Sequence, residues 1–359
     1  MTISKTSSGS RARTFLTRLE GPQTMGRGPA FWIAVTVAAA AAAAYPLIAD
    51  AWTVGNAAYF LIWTFMAMGL SVIWGYAGVL SFGQTAFFGL AGYAYGVITL
   101  NLGAAYGLTI LALVLAVVIG GLFALVIGYF MFYGRIQGVF IGIVTLSVTL
   151  VLETFMAQTA GPQWRIGEAR LNGFNGMSGM PPLTLPWFGG DIVLYPGPSL
   201  YYLLLGLVVV SYLGLRIMLN SRFGNVLVAI RENPHRVAML GYDVRLYQTL
   251  AFAIGGAFAA LSGALYTAWG QYITPSSMGL TSAALPIVWV AVGGRRDITA
   301  TLIGTIIVLA GFQMLTIYGS QYALIVMGGL LLVTVLVAPQ GLVVGAMTLL
   351  GRIFRRGKS

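Results

Sequence analysis

Ten apolar runs follow one another along this chain, and they leave it little choice of fold. They are Phe31–Ile48, Ala57–Trp74, Phe82–Leu100, Leu108–Phe132, Gly138–Met156, Leu200–Leu219, Leu250–Trp269, Ala283–Val292, Ala300–Ile317 and Tyr322–Val337. Most approach the roughly 20 residues an α-helix needs to cross the hydrocarbon of a bilayer. Only 8% of the residues are charged and 58% are hydrophobic, against about 25% charged in an ordinary soluble domain. That much apolar surface cannot be covered in water, so lipid is the solvent for most of the chain. In lipid each backbone N–H and C=O must be satisfied internally, which selects helices. The expectation is an all-α polytopic membrane protein of about ten transmembrane helices. The eighth run is short and carries Pro286, the mark of a tilted, broken or partial span. A cleaved leader ending near Ala49-Asp50-Ala51 is disfavoured by the long polar stretch ahead of the first run and by the spans behind it.

Charge placement gives the orientation. With ten spans both termini lie on one side. Counted on that basis, all but Arg165 and Arg170 of the 19 Lys and Arg fall on the side of the termini. Lys and Arg concentrate on the cytoplasmic side of membrane proteins, so both termini are expected inside. The same asymmetry accounts for the net charge of +11 without nucleic acid. Residues 1–29 read as a disordered basic cytoplasmic tail, 30–345 as the transmembrane domain and 346–359 as a second basic tail. Two connections are long. Residues 159–199, rich in Gly, Pro and Asn, fall outside as a periplasmic loop, and 220–248 fall inside.

The inner loop has helical patterning. Val226, Leu227, Ala229 and Ile230 precede Arg231, Glu232 and Asn233, then Pro234 breaks the run. Val237, Ala238 and Leu240 resume it, and Gly241 suits a helix end. Two short helices at about 225–233 and 236–241 follow, with an apolar face that needs either lipid headgroups or a partner's groove. The pattern leaves open a coupling element for a separate ATPase and an ordinary interfacial linker.

Polar residues in the spans are few. Glu153 is the one acidic residue inside an apolar run. Such a carboxylate is a functional candidate that could meet a solute's ammonium or amide. Alternatively it is hydrated one turn from the outer interface, paired with Arg165 or Arg170. Gln84 and Gln313 are candidates to line a solute path, or to form interhelical hydrogen bonds. Gly89, Gly92 and Gly96 suit close helix packing. Trp52, Trp187 and Trp269 read as interface anchors. The chain has no cysteine, which excludes thiolate chemistry, and one histidine, His235, which disfavours a histidine-based metal site or triad. No catalytic group, cofactor or metal is expected. The terminal Gly351–Ser359 stretch has the wrong spacing for a phosphate-binding loop, so any ATP is handled by a partner.

Several segments resemble one family. Arg222-Phe223-Gly224, Ala229-Ile230-Arg231-Glu232-Asn233-Pro234 and Leu240-Gly241 resemble the cytoplasmic loop of LivM-type permeases, from the branched-chain amino acid and urea/amide ABC importers. Trp74-Gly75-Tyr76-Ala77-Gly78-Val79-Leu80-Ser81-Phe82-Gly83-Gln84 resembles their second-to-third span junction. Gly138-Val139-Phe140, Gly173-Phe174-Asn175-Gly176-Met177, Ala264-Leu265-Tyr266, Ile273-Thr274-Pro275, Gly293-Gly294-Arg295 and Pro339-Gln340-Gly341-Leu342 agree in order and spacing. The departures are Phe174 within the outer glycine pair, Arg295-Arg296-Asp297 after Gly294, and a coupling signature reduced to Ala238 and Gly241. The resemblance implies an inner-membrane permease that moves branched-chain amino acids or related small amino-acid, urea or amide solutes. It also implies a second, non-identical permease, two cytosolic ATP-binding subunits and a periplasmic solute-binding protein. In that frame Arg222, Arg231, Glu232, Asn233, Ala238 and Gly241 form the ATPase-coupling loop. The rival class is an ion-coupled secondary transporter, which would carry ionisable groups near the midplane.

Overall fold

The computed structural model describes residues 19–103, 107–186 and 192–346. Among the described residues eleven α-helices carry the fold: α1 Pro29–Ile48, α2 Ala51–Leu70, α3 Gln84–Ile98, α4 Thr109–Tyr133, α5 Val139–Ala157, α6 Pro198–Leu219, α7 Arg222–Glu232, α8 Pro234–Met239, α9 Val244–Gly270, α10 Leu280–Gly293 and α11 Ile298–Val337. Among the described residues eight helical stretches are long and apolar enough to span a membrane, and Leu280–Gly293 and Tyr322–Val337 are shorter apolar helices. The second of these is the distal part of α11, which kinks at Gly319. The protein is a polytopic all-α membrane protein.

The centre of the bundle is built from α2, α3, α4 and α9. On α4, Ala112, Ala116, Gly120, Ala124 and Gly128 recur every fourth residue and are buried. A Cβ on Gly120 would meet Ala260, and one on Gly128 would meet the Phe252 ring. The α9 face opposite is equally small, with Gly255, Gly256, Ala259, Ala260 and Gly263 buried. In lipid, packing replaces the hydrophobic effect between helices, and small residues let backbones approach. The Gly89, Gly92 and Gly96 stripe does the same work at the outer end of α3, where its neighbours are Met278, Thr267, Ile273, Met177 and Met180. Helix α1 stands apart with no buried residue. It is pinned to α6 by the Tyr201 and Tyr202 hydroxyls, which donate to the carbonyls of Ala42 and Ala43 at 2.9 and 3.1 Å.

The long outer segment is structured. It forms β1 Arg165–Ile166 with β2 Ala169–Arg170, and β4 Leu183–Leu185 with β5 Ile192–Leu194. In addition, β3 Met177–Ser178 pairs with β6 Tyr272–Ile273 beyond α9. Asn172, Gly173 and Gly176 take positive φ around the turn that joins β2 to β3. This cap, which the sequence shows only as a Gly/Pro-rich loop, is tied to the bundle. The Thr109 hydroxyl accepts from the Thr184 amide at 2.7 Å, and the Asn101 amide donates to the Ile166 carbonyl at 2.9 Å.

One expectation fails. Residues 19–28 are not a disordered tail, because a buried arginine needs them. The Arg216 side chain is fully buried at the end of α6. It donates to the carbonyls of Leu19 (2.9 and 3.1 Å), Met25 (3.0 Å) and Gly26 (3.0 Å) and to the Tyr212 hydroxyl (2.9 Å). Its guanidinium also lies 4.8 Å from the Phe31 ring centre. Asn220 and Asp297 accept from the Gln23 and Met25 amides. A desolvated guanidinium without partners would cost several kcal/mol, and the carbonyls of this strap satisfy it. Residues 1–18, 347–359 and Trp187 lie outside the described residues.

Candidate functional site

The basic and neutral ends of the bundle are clearly separated. Among the described residues, Arg165 and Arg170 lie in the outer cap. The other arginines surround the opposite end, on the strap, the α4–α5 turn, the α6–α9 connection and the α10–α11 turn.

At that basic end the resembling motifs converge on one junction. Beyond α2 the chain winds a π-helical turn, Ser71–Tyr76, and the Ser71 hydroxyl donates to the Arg295 carbonyl at 3.0 Å. A Cβ on Gly75 would collide with that same carbonyl. Gly78 has φ +76 and faces the Arg231 side chain, a conformation and a clearance that together demand glycine. Arg231 donates to the Gly75 carbonyl and pairs with Glu232 at 2.8 Å. This pair holds the Glu232 carboxyl below its ordinary range. Burial, followed by the neighbouring Arg296 and Arg231, pulls the Arg295 guanidinium below its usual value. Gly341 has φ +103 and packs against Gly294. Burial raises Asp297, opposed mainly by the Met25 and Ala300 amides that it accepts. The α2 end, the Gly293-Gly294-Arg295 turn, α7 and the Pro339–Leu342 turn therefore meet in one place.

On this junction sit α7 and α8. Ser221 caps α7 by accepting from the Phe223 amide at 3.2 Å, and Asn233 caps α8 by accepting from the Arg236 amide at 3.0 Å. The helices start at 222 and 234, earlier than the pattern suggests, because Pro234 occupies the first turn of the second helix, where its missing N–H costs nothing. Leu227, Ile230 and Val237 face inward and are buried, while Met239 and Leu240 are 87% and 76% exposed. Gly241 ends α8 with φ +86, the left-handed conformation expected there. Arg222, Glu232 and Ala238 are exposed, and Arg231 is half-buried. Arg231 thus faces its own protein instead of standing out as a docking charge.

The candidates in the spans scatter. Gln84 opens α3 and is 2% exposed, and its amide has no hydrogen-bond partner among the described residues. Glu153 is half-buried one turn from the end of α5, with its carboxylate beside Gly279 ahead of α10. Arg165 pairs with Glu168 at 2.7 Å and not with Glu153. Gln313 lines a cavity of about 510 Å³ walled by aromatic rings of α2, α9 and α10. Trp269 belongs to that wall, and its ring nitrogen donates to the Gly55 carbonyl at 3.1 Å. Trp52, by contrast, is 73% exposed. Among the described residues no His, Cys, Asp or Glu cluster could hold a metal.

The site is thus a capped helical pair seated at the basic end of an apolar helical bundle. The family described as "Branched-chain amino acid transport system / permease component" matches residues 52–335, and the chain belongs to that family. The high-affinity branched-chain amino acid transport permease LivM of Escherichia coli K12 is 27% identical over 326 residues, covering 84% of this chain and 72% of that protein. The probable LivM of Methanocaldococcus jannaschii is 24% identical, covering 74% and 82%. The probable LivH of the same archaeon is 27% identical over 165 residues, covering 42% and 50%. No solved structure matches.

Proposed function

We propose that this chain is one of two related permease subunits of an ATP-driven importer in the bacterial inner membrane. It passes branched-chain amino acids, or related small amino-acid, urea or amide solutes, from a periplasmic binding protein to the cytoplasm. The observation that carries the ATP-driven reading is the α7–α8 pair. It is folded, capped and seated on the motif junction, yet it presents Met239 and Leu240 to the outside. Two cytosolic ATP-binding subunits are the occupants of that face, and the outer cap at 159–199 receives the binding protein. The similarity to both LivM and LivH relatives supports a paired, non-identical permease.

In this reading, ATP-driven closure of the ATPase dimer displaces α7 and α8. Arg231 joins α7 to the Gly75 carbonyl, and Ser71 joins the same turn to the Arg295 carbonyl. A displacement of α7 therefore reaches α2 and the α10–α11 turn together, a rigid-body route to alternating access. An ion-coupled mechanism is disfavoured. Among the described span residues Glu153 is the one carboxylate, and it lies near the outer end of its helix.

The test is uptake by the complex reconstituted with its own ATPases and binding protein. Accumulation of leucine that requires ATP is expected. Accumulation that follows a proton or sodium gradient without ATP would replace this reading with the ion-coupled one.

A further inference from the structure

The wall of the α2–α9–α10 cavity is unusually rich in rings. Tyr59 and Trp63 lie one turn apart on α2, Tyr266 and Trp269 likewise on α9, Tyr272 follows α9, and Trp289 stands on α10. Tyr59 lies 5.2 Å from Trp269, and Trp63 lies 5.6 Å from Tyr266 and 5.4 Å from Trp289, centre to centre. Behind them Phe88 stacks on Trp63 at 4.9 Å with 11° between the planes. The Tyr266 and Tyr272 hydroxyls are hydrogen-bonded at 2.7 Å. These contacts fix the rings in place, so the wall is preformed.

The remaining lining mixes apolar side chains, Phe60, Leu285, Leu309 and Phe312, with neutral polar ones that include Asn56 on α2, Ser276 and Ser282 ahead of and within α10, and Gln313 and Thr316 on α11. Of the described residues that line it, none is Asp, Glu, Lys or Arg. The cavity lies toward the outer end of the bundle, beside β6. Its inner limit is Trp289, 3% exposed, and Leu309, 4% exposed. Its volume of about 510 Å³ lies within the ~300–1,000 Å³ of small-molecule sites. The Ser282 and Thr316 hydroxyls donate to the Ser276 and Phe312 carbonyls, whereas side-chain amides are costly against hydrocarbon, so Asn56 and Gln313 serve a solute or a neighbouring subunit rather than lipid.

We propose that this chamber is the chain's own solute-binding site, holding a small net-neutral solute with its apolar part against the rings. The inference rests on the permease reading above and adds the site. A solute of net charge would meet this wall with no counter-ion among the described lining residues. A zwitterion with an apolar side chain is matched instead: aromatic faces attract its ammonium and cover its side chain, while the Gln313 and Asn56 amides answer its carboxylate. A solute without an apolar part would leave the rings without a counterpart. The Tyr59–Trp63–Trp289 surface is thus the specificity-determining element, and Gln313 is its polar partner.

The experiment uses the whole reconstituted importer with radiolabelled leucine, and with urea, lysine and glutamate as competitors. The variants are Trp289→Ala, Tyr59→Ala and Gln313→Leu. Phe130→Ala, at a ring 68% exposed on the outside of α4, is the control. Leucine uptake by the wild type is expected to resist all three competitors. Each chamber variant is expected to raise the apparent KM for leucine about tenfold or more, while ATPase recovery and the control stay at wild-type level. Because a ring deletion could disturb folding, Gln313→Leu, which preserves size, is the deciding variant. A wild-type importer that takes up leucine, with KM unchanged in every chamber variant, would overturn the chamber while leaving the permease reading intact. Competition by urea as strong as by leucine itself would overturn the apolar-solute assignment. A wild-type importer that moves none of these solutes would overturn the permease reading, and the chamber with it.

Discussion

Arg216 shows how one residue can decide the fate of a whole segment. Its guanidinium is held by backbone carbonyls of the strap, with no carboxylate in contact among the described residues, and each of those bonds depends on the planar fork that lysine lacks. Arg216→Lys keeps the charge but strands several carbonyls, at about 1–3 kcal/mol for a buried group left unsatisfied. The expected result is that trypsin cuts after the exposed Arg27 at least tenfold faster than in the wild type, with the spans still inserted. Unchanged protection would mean that other contacts hold the strap. The sequence offered a signal for this arrangement: an arginine set within the last apolar turn of a span, where hydrocarbon penalises it unless it is partnered. What it could not show was the partner, which lies some 190 residues away along the chain. Arg231 teaches the same lesson. Its place in a charged motif suggested an outward-facing docking residue, yet packing turned it toward Gly75 and Gly78.

At the scale of elements, α7 and α8 were legible because amphipathic spacing, Asn233, Pro234 and Gly241 are local signals. Their role is tested on residues that face outward. Met239→Asp with Leu240→Asp should cut ATPase recovery in pull-down more than tenfold and abolish uptake without loss of membrane insertion. Gly241→Val should act in the same direction, since a β-branched residue at φ +86 is strained. Normal recovery and transport by both variants would reduce the pair to a linker. Arg231→Glu is a poorer probe, because it would break the inner junction before it touched a docking charge. Of the small-residue seams, the sequence showed the Gly89, Gly92 and Gly96 stripe of α3, while the α4–α9 seam emerged only when the two helices were seen packed together. The outer ribbons were not, because two- and three-residue strands depend on distant pairings, such as Met177 with Ile273.

For the whole molecule, the sorting of arginines to one end predicts sidedness that can be measured in intact cells. A cysteine at Asn175 in the outer cap should react with an impermeant thiol reagent from the periplasm, while one at Arg236 should react only after lysis. The native chain has no cysteine, so neither signal has a background. The reverse pattern would invert the topology, and with it the assignment of α7–α8 to the ATPase side.

The sequence by itself determined that this is a ten-run helical membrane protein and which end of it is basic, because lipid leaves the backbone no alternative and charge cannot lie in hydrocarbon. It also determined that a helical pair projects from that end, since capping and amphipathicity act over a few residues. Only the tertiary structure decided that the strap is ordered, that the glycine motifs meet at one junction, and that rings from α2, α9 and α10 close around a cavity. Each of these depends on groups far apart in the chain meeting in space, and packing settles that.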